Sequence, residues 1–103
     1  MTRPDPNPVA NPLRGETEIA GLALRPSFAA LVAAEAELGP LLALVERAAD
    51  GQISLTEIIA LFWHCRVDRM IKREAFSEQV AAVGLAAMTP ALRVLLRQIV
   101  QGQ

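Results

Sequence analysis

The hydrophobic period of this chain changes at Pro26, and no other feature constrains its fold so tightly. Before the proline, Thr17, Ile19, Leu22 and Leu24 alternate with Glu16, Glu18, Ala23 and Arg25, the two-residue period of a half-buried strand. After it, Phe28, Leu31, Val32 and Leu38 recur at helical spacing, with Glu35 the one break. The stretch 14–39 therefore reads as a small hairpin running straight into a helix. The strands fall at Gly15–Ile19 and Leu22–Arg25, turning at Ala20-Gly21. Ala-Gly is a weaker hairpin signal than Asn-Gly, because only glycine is free to take positive φ at no cost.

Punctuation places the helices that follow. Ser27 is a natural N-cap and Gly39 a natural stop for the first. Pro40 suits the first position of the second, whose stripe of Leu41, Leu44, Val45 and Ala48 ends at Gly51. Ser54-Leu55-Thr56-Glu57 is a capping box, and Ile53 with Ile58 fits a hydrophobic staple. The helix it opens runs to Val67, with Ile58, Leu61, Phe62 and Cys65 on one face and Trp63 off that stripe. A fourth helix covers Arg73 to Val83, turning Phe76, Val80 and Val83 inward and stopping at Gly84. A last one starts near Thr89-Pro90 and carries Leu92, Leu95, Leu96 and Ile99 towards Gly102. The expected class is α+β, mostly α: a two-stranded hairpin, then four to five short packed helices.

At 103 residues the expectation is one domain, over 14–103, behind an extended, disordered arm at 1–13 that holds Pro4, Pro6, Pro8 and Pro12. The chain is 52% hydrophobic but only 4% aromatic, so its core is helical and built of small parts, with apolar surface left over for a partner. A formal net charge of -1 supplies no field to draw nucleic acid or an acidic membrane. One cysteine, an N-terminus without an apolar core segment, and apolar runs far below about 18 residues predict a cytoplasmic protein without a membrane span.

The candidate chemistry is thin. Gly51, Ile53 and Glu57 match the sixth, eighth and twelfth places of a calcium-binding EF-hand loop, but the first and third fall on Glu46 and Ala48. Ala48 has no oxygen to offer, and Glu57 already serves as the capping-box acid. His64 and Cys65 are adjacent, but neighbours on a helix point about 100° apart, and no second His or Cys completes a zinc site. His64 reaches Asp68 one turn on, which pairs a base with an acid and leaves no nucleophile. Cys65 on the apolar stripe reads as a buried thiol. Arg66, Arg69, Lys72 and Arg73 form one basic cluster, read as a solvated helix end rather than a nucleic-acid contact. Trp63 reads as core or as an interface anchor. No catalytic residue, metal ligand or cofactor is expected, and the chain is not expected to be an enzyme. A two-stranded hairpin leaves open edges, which points to a binding or oligomerising module that adds a strand or offers a groove between helices.

Four strings resemble a known family: NPLRGETEI, LALRPSFAALVAAEAELG, LLALVERAADGQISLTEI and AFSEQVAAVGLAAMTPAL. Within them the distinguishing residues are Arg14-Gly15-Glu16, Leu24 to Phe28, Glu37-Leu38-Gly39 and Gly84-Leu85. Over Asn11 to Val100 the chain is similar to the gene transfer agent family of small phage-tail proteins. Members have been labelled both tail tube proteins and tail assembly chaperones. The resemblance implies a non-enzymatic role in tail morphogenesis of a gene transfer agent or phage-like particle. Under the chaperone label the partners are the tape measure protein, other copies of the chain, and tail tube proteins during assembly. Ile19, Leu22, Leu24, Phe28, Leu31 and Trp63 are the residues expected to meet a partner. The alternatives are a structural tube component and, below that, a small DNA-binding regulator.

Overall fold

The computed structural model describes residues 17–102. The proline-rich arm and the first residues of the expected first strand lie outside the described residues. The strands β1 (Thr17–Ile19) and β2 (Leu22–Leu24) pair antiparallel, Thr17 opposite Leu24 and Ile19 opposite Leu22. Ala20 and Gly21 link them with φ of 54° and 79°, the double positive φ of a type I′ turn. Five helices follow: α1 (Phe28–Leu38), α2 (Leu41–Ala49), α3 (Leu55–Cys65), α4 (Arg73–Ala81) and α5 (Leu85–Gln101). The architecture is the expected one, α+β and mostly α.

The strand alternation holds. Ile19 and Leu24 are buried while Glu18 and Ala23 face out. Behind the hairpin, Phe62, Phe76, Leu44, Leu61, Met88 and Leu95 make a single core shared by the hairpin and all five helices. In α1 the side chains that face this core are Ala30 and Ala34, flanked by half-buried Leu31 and Leu38. These small residues let α1 lie close against α3, as dense packing requires.

Four helix boundaries differ from expectation, and β2 ends at Leu24 rather than Arg25. Pro40, with ψ of 129°, caps α2 from outside instead of opening it. Having no capping side chain, it leaves the Leu41 N–H to the Glu35 carboxylate, 3.0 Å away. The third helix ends at Cys65, not Val67, because Arg66 turns to extended backbone and bridges Leu24. The Arg25 N–H donates to the Cys65 carbonyl (2.7 Å), and the Val67 N–H to the Ala23 carbonyl (3.0 Å). That bridge closes the outer edge of β2, so the hairpin expected to be open offers only β1, which meets no further strand among the described residues. The fourth helix stops at Ala81, and Val83, expected inward, sits partly exposed in the turn before Gly84.

The fifth helix starts one turn before Thr89-Pro90, at Leu85, and takes Pro90 into its second turn. Pro90 cannot donate to the carbonyl four residues back. The Thr89 hydroxyl donates to the Leu85 carbonyl at 2.9 Å, supplying a side-chain donor in the disrupted turn. Leu92 and Leu95 reach the core, and Gly102 terminates the helix with φ of 74°, as the sequence predicts.

Candidate partner-binding surface

Successive residues of a helix advance by about 100° around its axis. On α1 this puts Ala30, Ala34, Leu38 and Leu31 on one arc, which packs inward. The opposite arc holds Phe28, Val32, Ala36, Ala29 and Ala33, all exposed. Phe28 is 83% and Val32 50% exposed. A helix that is apolar on both sides is normally buried on both sides. The outer arc of α1 is therefore the candidate surface.

Its borders are two acids, Glu35 and Glu37, and both are held by the chain itself. Glu35 accepts from the Leu41 N–H. Glu37 is paired with Arg73 at 2.6 Å and with His64 at 2.7 Å. The Arg73 guanidinium, then the His64 imidazole, hold the Glu37 carboxyl down at about 2. Between these two acids the arc holds only Phe, Val and Ala, so it carries no charge of its own.

The Glu37 cluster also settles several side chains singled out in the sequence. His64 turns to Glu37 on α1, not to Asp68. Asp68 instead accepts from the Met70 N–H at 2.8 Å. Trp63 is half-buried, edge-to-face with Phe76 at 5.5 Å between ring centroids, and the Arg66 guanidinium lies 3.3 Å above its ring centre. Arg66 also donates to the Trp63 carbonyl. Burial, then the nearby Arg69 and Arg73, disfavour its charged form, with Asp68 acting the other way. Two of the four cations of the basic cluster are thus engaged with α1 and the Trp63 ring, leaving Arg69 and Lys72 on the exposed connection.

The remaining candidates fall into structural roles. The Cys65 thiol is buried, and burial pushes its pKa up to about 12, far from the thiolate a nucleophile needs. Glu57 completes the capping box with Ser54 and pairs with Arg47 at 2.9 Å, which with the Ser54 N–H holds it at about 2. Arg47 donates to the Gln52 carbonyl as well, so an arginine lies where a calcium loop would gather oxygens. Among the described residues no group of three or more His, Cys, Asp or Glu is placed to hold a metal ion. Nor is any single described helix long and apolar enough to cross a membrane.

Of the six residues expected to meet a partner, Ile19 and Leu24 are spent on the core, at 4% and 0% exposure. Leu22 and Leu31 are half-buried against it, and Trp63 is clamped by Arg66 and Phe76. Only Phe28 projects freely. Val32, read in the sequence as part of the helix's apolar stripe, joins it on the same arc, as do Ala29, Ala33 and Ala36, which were not singled out. The signal was there in the composition of α1, whose only polar residues are Glu35 and Glu37.

A family model described as "Phage tail tube protein, GTA-gp10" matches residues 16–102. No curated protein and no solved structure matches the chain.

Proposed function

The chain belongs to the phage tail tube protein, GTA-gp10 family, and from that premise we propose that it acts as a tail assembly chaperone. In this reading it binds the tape measure protein while the tail is built, and tail tube proteins later displace it. One observation carries the reading: the uncharged outer arc of α1, with Phe28 and Val32 raised above three alanines. Such a face, built of Phe, Val and Ala alone, suits reversible burial of another apolar helix.

The family's description as a tube protein favours a second reading, a structural tube component. Two strands of three residues, with one edge closed by Arg66, are little sheet from which to build a continuous ring. Purified particles separate the two: a tube subunit is present in many copies, a chaperone is absent. Co-expression with the tape measure protein tests the first directly. The expected result is a soluble complex that Phe28→Asp/Val32→Asp abolishes while leaving the circular dichroism spectrum unchanged. A tape measure protein equally insoluble with and without the chain removes the chaperone reading.

A further inference from the structure

The apolar stripe of α2 is only half used by the core. Leu44 is fully buried, but Val45 and Ala48, on the same stripe, line an open groove of about 510 Å³. The opposite wall is a second stripe of α5, on which Leu96 and Val100 lie one turn apart, and Val100 is exposed. Arg93 and Arg97, also one turn apart, stand along that wall. No carboxylate lines the groove, and neither guanidinium has an ion-pair partner among the described residues. Of the other four arginines that follow α1, Arg47, Arg66 and Arg73 are each held by a carboxylate, a carbonyl or a ring, and Arg69 lies on the exposed connection between α3 and α4.

We propose that this groove receives an amphipathic helix of a partner protein whose apolar stripe is flanked by Asp or Glu. The walls specify a helix because they are themselves helices, whose interior N–H and C=O groups are already paired within α2 and α5. An extended segment laid there would find no ladder to join, whereas a helix brings its own backbone bonds satisfied. Apolar residues at one-turn spacing on both walls accept a stripe of the same period. The two guanidinium groups, unpaired among the described residues, select acidic flanks, since arginine binds carboxylates in fixed, bidentate geometry. The whole chain, with formal net charge of -1, does not attract acidic ligands in general, so the selectivity is local to this wall. The groove shares no residue with the outer arc of α1 and stands independently of what that arc binds.

Two designed 18-residue helical peptides test it, alike in a leucine stripe at helical spacing, one flanked by glutamates and the other by lysines. Each is titrated into the full chain, with anisotropy for affinity and amide chemical shifts for location. The glutamate peptide is expected to bind at least tenfold more tightly at low salt, to lose that advantage as salt rises, and to perturb amides of α2 and α5. In Arg93→Glu/Arg97→Glu, whose exposed substitutions leave the core untouched, the preference inverts. Equal binding of both peptides, no binding of the glutamate peptide, or shifts confined to α1 each overturn the proposal. So does a concentration-dependent dimer that Val100→Asp abolishes, because the occupant is then a second copy of the chain.

Discussion

Ala20 holds the least comfortable backbone among the described residues. Its φ of 54° is the only positive value there outside glycine, and a side chain in that region costs roughly 1–2 kcal/mol. Asparagine tolerates the conformation and is preferred at that place in a type I′ turn. Ala20→Asn is therefore expected to raise stability by about 0.5–1 kcal/mol, read as a shift in the urea midpoint. At the same scale, Glu37 and Glu57 tie stability to acid. Both carboxyls are held near 2 in the folded chain, below their ordinary value of 4.5. A depressed carboxylate stabilises above its unfolded pKa, and that contribution is lost as pH falls through the folded one. The urea midpoint should fall between about pH 4.5 and pH 2, and fall less in Glu37→Gln/Glu57→Gln. Each pair is largely solvated, so its share of the stability is small. An identical decline in the double variant would assign the acid sensitivity elsewhere.

Among the elements, α5 departs most from local rules. Pro90 lies in its second turn, where the missing N–H and the ring disfavour a continuous helix by up to about 3 kcal/mol. Pro90 is exposed, so Pro90→Ala restores the backbone bond without disturbing the core. It is expected to stabilise by about 1–3 kcal/mol, seen as a higher melting temperature. The same residue shows why one boundary was not legible in the sequence. Thr89-Pro90 has the form of a helix start, and nothing local reveals that Leu85 to Met88 already coil ahead of it. Tertiary packing decides, because Met88 is drawn fully into the core. Where a signal acts within one turn, as with Ser27, Ser54-Glu57 and Gly102, the sequence was sufficient. Where the partner is distant, as with Arg66 bridging Leu24, it was not. The candidate surface follows the same division. Phe28 was recognised by type, but the exposed arc around it emerges only once Ala30 and Ala34 are seen to be the residues that pack.

At the scale of the molecule, the described residues leave an apolar surface outside the core on α1 and another between α2 and α5. The sequence predicted surplus apolar surface from composition and assigned it to Ile19, Leu22 and Leu24 of the hairpin as well as to Phe28, Leu31 and Trp63; the burial of Ile19 and Leu24 was not legible, because the contacts that bury them join residues far apart in the chain. Those contacts also tie the hairpin to the helices. Residues 24 and 66 meet only after about forty intervening residues are looped together, a closure whose entropy must be met before the bridge gives anything back. A hairpin this short is not stable alone, so β1 and β2 depend for their stability on the helices they dock against. Native-state hydrogen exchange reads this directly. The amides of Arg25 and Val67, sealed by the Cys65 and Ala23 carbonyls, should share one opening free energy with the tail of α3. Separate exchange of the two amides would uncouple hairpin from helix; joint exchange makes the hairpin and the end of α3 one cooperative unit, though about forty residues separate them in the chain.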